Sequence, residues 1–243
     1  MRPSKIIARN CWKIILPKSS PIKMLASVTS VEEALIALDA GVDMIDLKNP
    51  AKGALGALEH QLVKDIVLEI NHRSTVSATI GDLIMDPSLI VEATKTMLET
   101  GVDIVKIGFF DPAHHMECLD ALKPLTSKSK LVAVLFADEK PNFDLLPFIA
   151  KTGFYGAMLD TANKKNGHLL SYLDVNDLQE FVVRASALGL ETGLAGSIQI
   201  SHIDNLCEAK PSYLGFRGAL CEQNKRVLGL DPIKILNIKN MLH

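Results

Sequence analysis

Residues 24–48 read Met24-Leu25-Ala26-Ser27-Val28-Thr29-Ser30-Val31-Glu32-Glu33-Ala34-Leu35-Ile36-Ala37-Leu38-Asp39-Ala40-Gly41-Val42-Asp43-Met44-Ile45-Asp46-Leu47-Lys48. Two short apolar runs, Met24–Val28 and Met44–Lys48, enclose a segment whose apolar residues recur near i, i+3, i+4, the spacing of one helical face. Ser30 stands where a helix needs an N-cap hydroxyl, and Gly41 where the chain must leave it. The stretch therefore predicts strand, helix over Val31–Ala40, and strand. The same pattern continues through Val76–Ile80, Ile104–Gly108, Leu131–Phe136, Gly156–Leu159, Thr192–Leu194 and Tyr213–Phe216, which brings the strands to eight. Pro87–Thr100, opened by Asp86 and closed by Gly101, and Asp174–Leu188, closed by Gly189, are further helices. Ala40-Gly41-Val42-Asp43 is echoed by Thr100-Gly101-Val102-Asp103, each a helix stop followed by a strand.

Strands joined by crossover helices run parallel. Eight such units favour closure over an open sheet, and no G-x-G-x-x-G follows the first strand, against a dinucleotide fold. The predicted fold is α/β, a single (β/α)8 TIM barrel over residues 24–243 with no internal linker. The chain's 243 residues suit one barrel of about 250.

Residues 1–23 contain Arg2, Lys5, Arg9, Lys13, Lys18 and Lys23 and no acidic residue. An organelle-targeting leader, a basic arm, or an upstream start ahead of Met24 all fit that bias, and the segment is expected to lie outside the fold. A net charge of -2 gives no reason to expect nucleic acid, and 5% aromatic residues leave little for base stacking. No apolar run approaches the roughly 20 residues that cross a membrane. Cys11, Cys118, Cys207 and Cys221 lack C-x-x-C spacing, which points to free thiols in a reduced, cytoplasmic setting. No cofactor and no metal site is expected, since no His, Cys and carboxylate set has ligand spacing. Homo-oligomerisation stays open.

In such a barrel the C-terminal ends of the strands surround the active site. The second strand ends Ile45-Asp46-Leu47-Lys48, and alternation puts Asp46 and Lys48 on one face. The fourth carries Lys106, and the sixth ends at Asp160 with Lys164 just beyond. Three lysines and two aspartates thus converge on one mouth. Ion pairs that merely close the barrel interior are the competing reading, and its weight falls with each further charge at the same end. Partial desolvation and crowding by other cations lower a lysine's pKa, and a neutral lysine can attack a carbonyl to form an imine. After the seventh strand comes Ala195-Gly196-Ser197, and after the eighth Phe216-Arg217-Gly218. Loops after strands 7 and 8 often bind phosphate. Gly196 and Gly218 permit close backbone approach, Ser197 offers a hydroxyl, and Arg217 is expected to hold phosphate bidentately. His114-His115 reads as a solvated helix start, Asp82 as a rim or loop-capping residue, and Asp138 as part of a charged loop or of the rim.

Taken together, these motifs resemble one family. Asp46-x-Lys48-Asn49-Pro50, Gly53-x-Leu55-Gly56, Ser77-Ala78-Thr79-x-Gly81-Asp82, Lys106-x-Gly108, Ala157-Met158-Leu159-Asp160-Thr161-Ala162-x-Lys164, Leu194-Ala195-Gly196-Ser197-Ile198 and Arg217-Gly218-Ala219 are similar to those of the (5-formylfuran-3-yl)methyl phosphate synthases. The resemblance runs from about Met24 to the C-terminus. It implies condensation of two glyceraldehyde 3-phosphate molecules to a phosphorylated furan aldehyde with loss of phosphate and water, in methanofuran or methylofuran biosynthesis. It also implies a Schiff-base lysine at Lys48, a proton-accepting lysine at Lys106, and charged partners at Asp46, Asp160 and Lys164. The basic leader and the Phe136–Lys151 region depart from the pattern. A class I aldolase or sugar-phosphate isomerase on the same barrel, or a non-catalytic barrel that binds phosphorylated metabolites, are the alternatives.

Overall fold

A computed structural model describes residues 21–164 and 166–242. Eight strands, β1 (Lys23–Val28), β2 (Met44–Leu47), β3 (Thr75–Thr79), β4 (Ile104–Gly108), β5 (Lys130–Phe136), β6 (Gly156–Asp160), β7 (Glu191–Leu194) and β8 (Tyr213–Phe216), close into a barrel in sequence order. Every neighbouring pair is parallel. Helices α1 (Val31–Asp39), α2 (His60–Ile70), α3 (Pro87–Leu98), α4 (His115–Thr126), α5 (Leu146–Thr152), α6 (Val175–Ala187), α7 (Ile203–Glu208) and α8 (Pro232–Leu242) follow the strands in turn. Residues 1–20 of the basic segment lie outside the described residues. Lys23, grouped with that segment on sequence, instead opens β1 and donates its N–H to Ser212 O at 3.0 Å.

The predicted strand ends agree with the observed ones to within one residue, because local chemistry fixes them. Ser30 Oγ accepts from Glu33 N, Asp86 accepts from Leu89 N, and Asp174 forms a reciprocal capping box with Asp177. Gly41, Gly101 and Gly189 leave their helices at φ +70, +89 and +79°.

Strand residues that point outward, among them Ile45, Val105, Leu159 and Phe216, pack with Ile66, Leu122, Phe181 and Ile235 in one cluster. Those that point inward, including Leu25, Met44, Ile104, Val132, Met158 and Tyr213, form a second cluster inside the barrel. Burial on both faces explains why these strands read as nearly continuous apolar runs. The Tyr213 ring fits inside the barrel only because Gly193 presents no side chain to it. Above this apolar floor the inward residues turn polar. Ser27, Asp46 and Ser77 stand side by side on β1, β2 and β3, and Lys106 reaches them from β4.

Candidate active site

Asp46 is wholly buried and holds the polar layer together. Its Oδ1 accepts from Ser77 Oγ at 2.7 Å and lies 2.6 Å from Lys106 Nζ; its Oδ2 accepts from Ser27 Oγ at 3.0 Å. Burial alone would raise the Asp46 pKa, but the ammonium groups of Lys106 and Lys48 overcome it and the net shift is downward. For Lys106 burial is also the largest influence and lowers its pKa; Asp46 opposes that and the Lys48 charge reinforces it.

A second carboxylate, Asp160, closes β6. It accepts from Thr161 N at 2.8 Å and makes a very short contact with Lys164 Nζ, while Lys48 Nζ stands 3.7 Å from its other oxygen. Burial pushes Asp160 up, but Lys164 and Lys48 pull it to about 2. Lys164 falls to about 8, first through burial, against the pull of Asp160 and with the help of the Lys48 and Arg226 charges. Strand alternation set Asp46 beside Lys48; across the mouth the pairs form as Asp46 with Lys106 and Asp160 with Lys164. Lys48 Nζ makes no hydrogen bond to any described residue, and Asp160 is its ion-pair partner. All five charged residues line one cavity of about 440 Å³.

The loops after β7 and β8 form the opposite wall, where Gly196, Ser197, Arg217 and Gly218 also line the cavity. Gly196 adopts φ +111° and Ser197 φ +49°. A Cβ on Gly196 would lie 3.0 Å from Thr161 Cγ2 and 3.2 Å from Thr161 N, so glycine lets this turn seat against the β6 loop. Gly218 opens a 3-10 turn, Gly218–Leu220, whose first N–H groups have no intrahelical acceptor.

Arg217 departs from its expected role. Its Nε donates to Arg226 O at 2.9 Å, Nη1 to Ser27 O at 3.1 Å and Glu33 Oε2 at 2.6 Å, and Nη2 to Glu33 Oε1 at 3.1 Å and Leu228 O at 3.0 Å. That uses all five guanidinium donors, so the bidentate phosphate contact expected of this side chain has no donors left to make it. Glu33, on α1, also accepts from Thr29 N and Oγ1. The pair ties the β1 loop to the β8 loop.

Asp82, read as rim or cap, and Asp138, read as charged loop or rim, both brace loops. Asp82 accepts from Ala54 N and Leu55 N, each at 2.7 Å, and Asp138 from Ala162 N and Asn163 N at 2.8 and 2.7 Å. Asp138 thereby fixes the turn that carries Lys164. His114 is exposed beside Glu117, as a solvated helix start should be, but His115 is partly buried with its ring edge-on to Phe109 at 5.3 Å. Asn224, Lys225 and Arg226 line the cavity and were not singled out on sequence, although a basic pair in the connection after β8 was a usable signal. Among the described residues, no three His, Cys, Asp or Glu side chains gather in a metal-binding group, and no helix is long and apolar enough to cross a membrane.

Fold and site together define a (β/α)8 barrel whose cavity holds a buried lysine–carboxylate centre. A family model described as 4-HFC-P synthase matches residues 24–239, and the chain belongs to this family. It is 33% identical over 217 residues to the (5-formylfuran-3-yl)methyl phosphate synthase of Archaeoglobus fulgidus, covering 84% of this chain and 92% of the relative. A Methylorubrum extorquens protein, provisionally assigned the same activity, is 38% identical over 224 residues, with 91% and 92% covered. Among solved structures, phosphoribosyl anthranilate isomerase from Thermus thermophilus superposes with a TM-score of 0.65 at 14% identity, covering 91% of this chain and 100% of its own. 3-Hexulose-6-phosphate synthase gives 0.60 at 15% identity, with 89% and 99% covered. At such low identity these structures speak for the barrel alone.

Proposed function

We propose that this chain condenses two glyceraldehyde 3-phosphate molecules to (5-formylfuran-3-yl)methyl phosphate, a carbon–oxygen lyase reaction that releases phosphate and water through an imine on Lys48. The observation that carries the assignment of the nucleophile is the difference among the three lysines. Lys106 and Lys164 are each hydrogen-bonded to a carboxylate, whereas Lys48 Nζ lies 3.7 Å from its nearest carboxylate and faces the cavity. An amine that attacks a carbonyl must present its lone pair, and Lys48 is the one with room to do so.

In this reading, Lys48 Nζ bonds to a substrate carbonyl carbon and the oxygen leaves as water. The imine acidifies the neighbouring C–H, whose proton passes to Lys106. The resulting enamine expels phosphate from C3, and the enol that remains attacks from C3 the ketone carbon of the second triose, isomerised to dihydroxyacetone phosphate. Ring closure with loss of two waters, and hydrolysis of the imine by one water, complete the furan and free Lys48. Asp46, held by Ser27 and Ser77, orients Lys106, while Lys164, paired with Asp160, exchanges protons with the oxygens that come and go. With a pKa of about 8, Lys164 is about one-tenth neutral at pH 7, which suits proton transfer in both directions. The product suits methanofuran-type cofactor synthesis. Cytoplasm is the proposed setting, a reading supported by the free thiols of Cys118, Cys207 and Cys221.

Incubation with glyceraldehyde 3-phosphate alone tests this reading. A furan chromophore and inorganic phosphate should rise together. Dihydroxyacetone phosphate or a hexose bisphosphate as sole product would assign the chain to isomerisation or aldol chemistry instead.

A further inference from the structure

The structure assigns the side-chain phosphate contact of this pocket to Arg226, with Arg217 as the residue that positions it. This deepens the proposed function and rests on it for the identity of the phosphorylated substrate. The β8–α8 connection doubles back on itself. Glu222 N donates to Gly229 O at 3.0 Å, and Cys221 bridges Leu230 in antiparallel fashion, so residues 221–230 form a small hairpin at the cavity mouth. Lys234 Nζ anchors its base through Cys221 O and Asn224 Oδ1, both at 2.8 Å.

Arg217 grips the far limb. Two of its donors go to Arg226 O and Leu228 O, and Glu33 neutralises its charge. Arg226 is thereby held in the cavity wall that also contains Lys48 and Lys164. Among the described residues the one hydrogen bond of its side chain is Nη2 to Gly53 O at 3.3 Å, and no carboxylate makes an ion pair with it. Four of its five donors therefore remain open. Arg226 and Lys164 also lie close enough for each charge to act within the same Asp160 field. Three cations, Lys48, Lys164 and Arg226, face the carboxylates of Asp160 and Asp82, the latter already engaged by Ala54 N and Leu55 N. This surplus, in a cavity shared with the Gly196-Ser197 and Gly218 turns, favours a doubly charged phosphate over a neutral hydroxyl or a carboxylate. The contact to Gly53 O also sets Arg226 above the loop that follows Lys48, so a phosphate held there fixes the triose relative to the imine-forming amine.

The test uses the full-length protein with inorganic phosphate as probe, measured by calorimetry without turnover. Arg226→Ala should weaken phosphate binding on the order of ten- to a hundredfold and raise KM for glyceraldehyde 3-phosphate more than it lowers kcat. Arg226→Lys should recover part of the affinity, since the charge returns without the fork. An unchanged circular dichroism spectrum and melting temperature will show that Arg226→Ala remains folded. Phosphate affinity of Arg226→Ala within about twofold of the parent overturns the assignment, as does a parent that binds no phosphate. A parent that binds phosphate but forms no furan would defeat the proposed reaction and still leave this comparison decisive.

Discussion

Replacing Asp46 by Asn keeps the shape of the side chain and removes its charge, so it isolates what the carboxylate does for Lys106. Both partners are buried, at 0% and 2% side-chain exposure, and their contact is 2.6 Å. Removing one partner of such a pair costs about 3–5 kcal/mol, because the other is left buried and uncompensated. For a chain of this size each kcal/mol shifts the melting temperature by about 2–4 °C, so Asp46→Asn should melt roughly 6–20 °C lower at pH 7. Lys106 already has a lowered pKa through burial, and loss of Asp46 removes the main influence that raises it. A lysine whose folded pKa lies below its unfolded one destabilises the fold fully below the folded value and less as pH rises toward the unfolded one. The gap between variant and parent should therefore be widest near neutrality and narrow toward pH 10, as thermal melts across pH will show. Asp46→Asn/Lys106→Met removes the stranded charge and should regain most of the lost stability, though no activity. A double variant no more stable than Asp46→Asn, or a single variant that melts with the parent, would refute the reasoning.

Other consequences follow from the same geometry. Lys164, with its pKa at about 8, should give kcat/KM a limb that falls as pH rises through that value, because the ammonium is the form that donates a proton; Lys164→Gln should flatten the limb. Asp138→Ala frees the N–H groups of Ala162 and Asn163, so kcat should drop more than KM rises, and hydrogen exchange should quicken in residues 162–168. Gly196→Ala puts a Cβ 3.0 Å from Thr161 Cγ2 at φ +111°; it should cost about 1–3 kcal/mol by denaturant unfolding and weaken phosphate binding.

Much of this molecule could be read before its structure. Short apolar runs and helix stops at Gly41, Gly101 and Gly189 placed every strand, because those signals act between near neighbours. The barrel rule then gathered Asp46, Lys48, Lys106, Asp160 and Lys164 at one end, since strand ends converge there whatever their sequence separation. Pairings across the mouth were not legible. Alternation placed Asp46 beside Lys48 on one strand, yet the side chains reach across to β4 and β6 for their partners. Arg217 shows the same limit more sharply, as its partner Glu33 lies 184 residues away on α1. A basic residue after β8 was the right kind of signal for phosphate, but its Glu33 contact and three carbonyls come only with the closed barrel. Arg226 escaped notice because the hairpin that aims it is closed by Glu222 and Gly229, residues with no strand pattern.

The central claim is that chemistry begins at Lys48. Reduction with borohydride in the presence of glyceraldehyde 3-phosphate, followed by peptide mass analysis, tests it most directly. The account predicts one stable adduct, on the peptide at Lys48, and none in Lys48→Ala. An adduct at Lys106 or Lys164 with Lys48 unmodified, or turnover that survives in Lys48→Ala, would contradict it.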